Sequence, residues 1–324
     1  MPTLGEHPPT PAPSEPLLCA PSAGIRHCGR TEPVTVIRAA TRGSPLALWQ
    51  TEHVASLLWA VDPSISVDVI VIDTHGDRRL DVPIWELGGK GVFAKEVQAA
   101  VLDGRADIAV HSAKDLPSVT VPGLVIAATP ERGDPRDALV GSTLADLPEG
   151  AEVATGSLRR QAQLAAARPD LRFVGLRGNM ATRIAKAADH DAIVVAAAAL
   201  DRLGLSHAIA ERLTTDLMLP QVAQAALAVE CRADDDTLGA LLATVQHEAT
   251  RRCVDAERAF LAELGGDCSL PAAAYATIAE DGALSLEGRL AAVDGSTLLH
   301  HSGPDGAAVA RHLLDHGGEA LLGR

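Results

Sequence analysis

Aromatic residues are nearly missing from this chain: three tryptophans, three phenylalanines and one tyrosine among 324 residues. Alanine, leucine and valine must build the core instead, a composition common in α/β proteins. Basic residues are in deficit, with 28 Lys and Arg against 42 Asp and Glu and a formal net charge of −14. That balance argues against a general nucleic-acid binder, which carries a broad basic face. Long apolar runs are also absent. AIVVAAAAL (Ala192–Leu200) falls well short of the roughly 20 residues that span a bilayer and reads as a buried strand. Cysteine is scarce and odd in number: Cys19, Cys28, Cys231, Cys253 and Cys268. No CxxC pair or His/Cys cluster accompanies them. This favours free thiols in a reducing compartment, the cytoplasm, over a disulfide framework, and predicts no metal.

What is present is globular: 47% hydrophobic and 22% charged residues, over a length sufficient for two or three domains. Residues 1–33 hold eight prolines without apolar periodicity and read as a disordered tail. VTVIRAA (Val34–Ala40) then predicts a strand. Ser44 suits an N-cap and Pro45 the first position of the helix that follows. SVDVIVI (Ser66–Ile72) is a second strand. DTHGDRRLDVPIWELGGKG (Asp73–Gly91) reads as a mobile lid, a helix closes at Gly104, and DIAVHSAKDLP is a strand running into a polar turn. The β-α-β-α-β order predicts a parallel sheet with right-handed crossovers. A second unit of the same kind starts near Glu152. Gln221–Leu264 reads as helical, placing Cys231 and Cys253 in helices. After Pro271, alternating strands and a last helix predict a small third α/β domain.

One segment runs against the overall charge. TGSLRRQAQLAAARPDLRFVGLRGNMATR (Thr155–Arg183) holds six arginines, no lysine and a single acid, Asp170. Arg159 and Arg160 fall in the first turn of a predicted helix, Arg177 follows the next strand, and Arg183 lies early in the next helix. In open α/β sheets such strand-to-helix junctions face one crevice. Cations at a helix N-terminus oppose the helix dipole. They require a compensating anion, which the free N–H groups of that turn would also bind. Guanidinium suits carboxylate or phosphate. The cluster predicts a ligand with several negative charges, against the plainer reading of solvated or surface-paired arginines.

Three further segments narrow the ligand. ATRGSPLALWQ puts Arg42 and Ser44 at a strand-to-helix junction, DIAVHSAKDLP puts Lys114 and Asp115 at a strand end, and LGGDCSLP sets Cys268 on a glycine-rich turn. With GGKGVFAKE, DPRDA, SLRRQAQL and LRGNMATR, these segments resemble the porphobilinogen deaminase (hydroxymethylbilane synthase) family from about Val34 to the C-terminus. The resemblance implies two tandem α/β domains like type II periplasmic-binding-protein lobes, plus a small C-terminal α/β domain. The expected limits are residues 34–131 with about 225–245, residues 132–224, and residues 246–324. It implies a transferase of haem biosynthesis that joins four porphobilinogen molecules into linear hydroxymethylbilane with loss of ammonia.

It further implies a dipyrromethane cofactor held by a thioether to Cys268, with Asp115 as the catalytic aspartate. Cofactor contacts would come from Ser44, Lys114, Asp115, Thr155, Ser157, Arg159, Arg160 and Gly178. Substrate contacts would come from Arg42, Arg177, Arg183, Lys90, Phe93 and Gln224. The implied state is a cytoplasmic monomer without nucleic-acid or membrane partners. His111, on a strand, reads as structural rather than as a base. Three departures stand out. Ala223 and Ala225 replace glycines beside Gln224 and would stiffen the hinge. Gly156 replaces a serine and would remove a hydroxyl from the anion site. Asp267 precedes Cys268 and would raise its thiol pKa. The rival is a non-catalytic member that binds a pyrrole or another anionic solute. Retention of Cys268 and Asp115 argues against it, since pure binding needs neither.

Overall fold

A computed structural model of the protein describes residues 35–74, 91, 94–266 and 270–323. The 1–33 tail, the body of the predicted lid with Lys90, Phe93 beyond it, and the Asp267–Cys268 pair lie outside the described residues.

The chain begins with β1 (Thr35–Arg42), α1 (Pro45–Val61), β2 (Ile65–Ile72), α2 (Lys95–Leu102), β3 (Ile108–Ser112) and β4 (Leu124–Ala128). A second run comprises β5 (Asp137–Val140), β6 (Glu152–Ala154), α3 (Leu158–Ala167), β7 (Arg172–Val174), α4 (Met180–Ala185), β8 (Ala192–Ala196), α5 (Ala197–Arg202) and β9 (Glu211–Arg212). Then come β10 (Leu227–Arg232), α6 (Asp236–Ala243), α7 (Glu248–Glu263), β11 (Ala272–Ile278), β12 (Leu284–Ala291), β13 (Leu298–Gly303) and α8 (Gly306–Leu313).

Three sheets organise these elements, in the orders β2-β1-β3-β10-β4, β7-β6-β8-β5-β9 and β11-β12-β13. In the first, β1 is parallel to β2 and β3, as the sequence predicts. The sheet as a whole is mixed, however, because β10 runs antiparallel to both β3 and β4. The second sheet repeats this: β6 is parallel to β7 and β8, and β5 is antiparallel to β8 and β9. The expectation of a parallel sheet holds for β1, β2 and β3 and for β6, β7 and β8, and is corrected for the antiparallel strands beside them. So is the helical reading of Gln221–Leu264, whose Leu227–Arg232 segment is a central strand carrying Cys231. Residues 227–231 are all buried. A strand covered on both faces shows no period-two alternation, so an apolar run of this kind is not distinguishable from a buried helix by pattern.

Local chemistry sets the helix starts. The Ser44 side chain accepts the Ala47 N–H at 3.3 Å, and Pro45 opens α1. The first sheet packs Ile37, Val54, Leu58, Ile108 and Val229 together. The second packs Leu139, Val153, Leu164 and Val194. Phe260 of α7, Leu286 and Leu290 of β12 and Val309 of α8 centre the third core. Among the described residues no helix is long and apolar enough to cross a membrane.

Candidate active site

At the carboxyl end of β3 the chain makes a short 3-10 turn, Ala113–Asp115, which carries Lys114 and Asp115 past the edge of the sheet. Neighbouring β1 ends at Arg42, and Ser44 caps α1 beside it. The first unit thus gathers all four residues at one sheet end, as the junction argument predicts.

The second unit presents helix α3. Ser157 caps it, accepting the Arg160 N–H at 3.4 Å, and Thr155 Oγ1 accepts the Ser157 N–H at 3.2 Å. Arg159 and Arg160 are both buried, and the anion they require is partly built in. Asp137, the fully buried first residue of β5, sets Oδ2 2.8 Å from Arg159 Nη1 and Oδ1 2.9 Å from Arg160 Nη2. Carbonyl oxygens complete the cage: Arg159 Nη1 donates to Leu219 at 2.7 Å and Arg160 Nη1 to Val194 at 3.0 Å. These two arginines are therefore neither solvated nor surface-paired.

One buried carboxylate does not saturate two guanidinium groups. Nε and Nη2 of Arg159 are buried with no hydrogen-bond partner among the described residues. Leaving such donors unmet costs roughly 1–3 kcal/mol each, more for a charged group. That cost makes them a seat for an incoming anion.

Gln224 joins the two units. Its Oε1 accepts Lys114 Nζ at 3.2 Å, while its Nε2 donates to Pro135 O at 2.8 Å and to Asp137 Oδ1 at 2.9 Å. It is fully buried, and its amide is committed to these groups. The flanking Ala223 and Ala225 both have positive φ, 58° and 68°.

The charges of the cluster act on one another. Burial alone would raise the Asp137 pKa, but Arg159 and Arg160 hold its carboxyl well below the usual carboxylate range. Burial, reinforced by Arg160 and Arg159, pushes Lys114 down to about 8 against the pull of Asp115 and Asp137. Burial, then Arg160 and Arg177, lowers Arg183 to about 10, with Asp115 opposing. Lys114, Asp115, Arg160, Arg177 and Arg183 therefore share one electrostatic neighbourhood, and cations outnumber acids within it. Arg183 is aimed by an Nε contact to Gly178 O at 2.9 Å, where Gly178 has φ 116°.

The remaining arginines of the cluster serve the fold: Arg168 Nε pairs with Asp170 at 2.8 Å and Arg172 Nε donates to Gly150 O at 2.8 Å. Gly156 also differs from expectation. A Cβ there would lie 2.8 Å from Leu176 O, so the missing side chain points at backbone and its replacement of serine accommodates a close strand approach. His111 is buried behind the site, its Nε2 3.1 Å from Glu230 Oε2. Asp137, within DPRDA, received no role from the sequence. The available signal was an acid opening the apolar strand DALV. No group of three or more His, Cys, Asp or Glu among the described residues is arranged to hold a metal.

The family model "porphobilinogen deaminase, dipyromethane cofactor binding domain" matches residues 37–240, and "porphobilinogen deaminase, C-terminal domain" matches residues 251–308. The chain belongs to the porphobilinogen deaminase family. A porphobilinogen deaminase of Syntrophotalea carbinolica is 48% identical over 295 residues, covering 90% of this chain and 93% of that protein. One from Roseiflexus sp. is 49% identical over 294 residues, covering 87% and 97%. Among solved structures, the methionine-binding protein MetQ gives a TM-score of 0.41 at 11% identity, over 67% of this chain and 92% of that one, a likeness too slight to carry an argument.

The family's cofactor domain brings a dipyrromethane to this chain, and the donor set suits it. A dipyrromethane is rich in carboxylates. Arg159 offers two unmet buried donors beside Arg160 and Lys114.

Proposed function

We propose that this protein joins four porphobilinogen molecules head to tail and, with one water, releases them as linear hydroxymethylbilane and four ammonia molecules, as a step in haem biosynthesis. The observation that carries the reading is the buried Arg159–Asp137–Arg160 cage with its two unmet guanidinium donors, set across from Lys114 and Asp115.

We assign Lys114, Arg159 and Arg160, with Ser44, Thr155, Ser157 and Gly178, to holding the carboxylates of the dipyrromethane, and Cys268 to its thioether. When bound, the dipyrromethane supplies the primer on which the chain is extended. Arg42, Arg177 and Arg183, with Lys90 and Phe93, are assigned to the acetate and propionate of the incoming porphobilinogen. Gln224 holds Lys114 and Asp137 in place for both. Loss of ammonia from the substrate's aminomethyl group leaves positive charge on its pyrrole nitrogen. The Asp115 carboxylate stabilises that charge, which the new carbon–carbon bond neutralises, and accepts the proton then lost from the attacking pyrrole carbon. We assign the enzyme to the cytoplasm as a monomer.

The test has two arms. Intact mass of the purified chain should show a dipyrromethane adduct that Cys268→Ser abolishes and Cys253→Ser retains. In Asp115→Asn carrying confirmed adduct, single-turnover ammonia release should fall about 100-fold or more, the scale of losing one preorganised charge, while folding is unchanged. Near-normal release would remove Asp115 from the chemistry.

A further inference from the structure

Gln163 is the last polar residue of the SLRRQAQL segment and takes no part in the roles assigned above. It lies one helical turn beyond Arg159 on α3 and is 3% exposed. Its amide is used completely on protein groups. Nε2 donates to Leu219 O at 3.1 Å and to Arg159 O at 3.4 Å. Oε1 accepts the Leu219 N–H at 2.9 Å and Arg289 Nη1 at 3.2 Å.

Two features of this arrangement bear on the site. First, Leu219 O is the acceptor that also takes Arg159 Nη1 at 2.7 Å. Gln163 grips the peptide N–H and C=O of Leu219 from one side, and the Arg159 guanidinium rests on the same carbonyl from the other. A guanidinium is planar. Fixing Nη1 on Leu219 O and Asp137 therefore fixes the direction in which the unmet Nε and Nη2 point. Second, Arg289 belongs to β12 of the third sheet. It is oriented there by Glu287, whose Oε1 takes its Nε and Nη2 at 2.8 Å. The β12–β13 turn also presses on α3: a Cβ on Gly295 would lie 2.4 Å from Ala166 N and 2.5 Å from Ala165 C. The third unit thus touches the arginine-bearing helix by backbone contact and by a buried, charge-assisted hydrogen bond.

We propose that Gln163 is a positioning residue: held from the third unit by Arg289, it fixes Leu219 and through it the guanidinium of Arg159 for carboxylate binding. The proposal rests on the assignment of Arg159 to carboxylates given above. In this arrangement the third unit acts on the anion site without contributing a ligand to it. Its seating sets how well Arg159 is preorganised.

The test uses the full chain, first adduct-free and then loaded, and three variants: Gln163→Met, Arg289→Met and Arg289→Lys. The ¹⁵N-detected Nε–H signal of Arg159 should lose its order in Gln163→Met and Arg289→Met and recover in Arg289→Lys. The concentration of preformed linear tetrapyrrole that loads half of the adduct-free chain should rise about fivefold in Gln163→Met, the scale of one buried hydrogen bond. If Gln163→Met fails to fold, Arg289→Met makes the same test from outside the helix. A lowered melting temperature with an unchanged Arg159 signal and unchanged loading would reduce Gln163 to packing and overturn the proposal. Arg159→Ala separates the underlying reading. Unchanged loading in that variant would show that Arg159 holds no dipyrromethane carboxylate, and the proposal would fall with it, whatever Gln163 does.

Discussion

Asp137 faces two guanidinium groups with one carboxylate. Such a cage is costly to desolvate, and removing one partner leaves a buried charge unmatched, at roughly 3–5 kcal/mol. What the cage supplies is a fixed, incompletely satisfied positive site. Lys114 stands beside it with its pKa lowered to about 8, first by burial and then by Arg160. For stability the sign is clear. The folded state disfavours the ammonium, so the cost is fully present below pH 8 and is relieved as pH rises from about 8 towards the ordinary lysine value. For binding the sign is opposite, since carboxylates are held by the charged form. The concentration of preformed linear tetrapyrrole that loads half of the adduct-free chain should rise as pH passes 8. Lys114→Arg, which keeps its charge, should remove that rise. Lys114→Met should raise that concentration throughout and flatten the profile. An unchanged alkaline profile in Lys114→Met would sever Lys114 from the anion site.

The loop around Gln224 is held in a backbone conformation that alanine resists. Ala223 and Ala225 have φ of 58° and 68°, where an L side chain costs roughly 1–2 kcal/mol. The loop keeps this shape because its groups are engaged on all sides. The Ala223 N–H donates to Glu257 Oε2 at 2.6 Å, and Ala225 O accepts Gly133 N at 3.2 Å and Arg202 Nη2 at 2.6 Å. The two alanines therefore do more than stiffen a hinge. They store strain that neighbouring bonds hold in place. Ala223→Gly should relieve it, less the entropy glycine adds to the unfolded chain, for a gain of up to about 1 kcal/mol. Chemical denaturation should show a higher midpoint with an unchanged slope. A lower midpoint would mean that the alanine methyl packs for more than its backbone costs.

Glu257 of α7 ties the three sheets to one another. Its carboxylate, fully buried, pairs with Arg132 Nη1 at 2.6 Å and accepts Ala223 N from the Gln224 loop and Ala276 N from β11 at 2.9 Å. Arg132 lies between β4 and β5, where the chain passes from the first sheet to the second. Its Nε donates to Gln224 O at 2.8 Å, and its guanidinium sits 5.1 Å from the Tyr275 ring centre. Elsewhere the first two units meet where Arg202 of α5 lies 5.4 Å from the Trp49 ring of α1, itself stacked on His53. Glu257→Gln keeps the shape but leaves the Arg132 charge unmatched. The cost should be near 3 kcal/mol, lowering the melting temperature by about 5 °C. Because the three units share this carboxylate, the transition should move as one. Separate early melting of the third unit, with the main transition in place, would show that Glu257 serves that unit alone.

Much of this molecule was legible in the residues alone. The Ser44–Pro45 start of α1, the parallel β1, β2 and β3, and the strand-to-helix placing of Arg159, Arg160 and Lys114 follow from local rules: caps, periodicity and the geometry of strand ends. Family motifs supplied Asp115 and Cys268, which composition never singled out. Other features depended on partners distant in the chain. β10 is a strand because Leu227 pairs with Ser112 and Arg232 with Leu124 in the first sheet. No pattern within LAVECR distinguishes it from a buried helix. Asp137 became the counter-charge of Arg159 and Arg160 only when β5 was laid antiparallel to β8, more than fifty residues away in sequence. Gln163 gained its role when Leu219 and Arg289 arrived from two other parts of the fold. Local sequence encodes which groups are charged and where elements begin. Which charges meet, and which donors are left unmet for a ligand, is settled by long-range packing, because burial and pairing belong to the assembled structure and not to any segment of it.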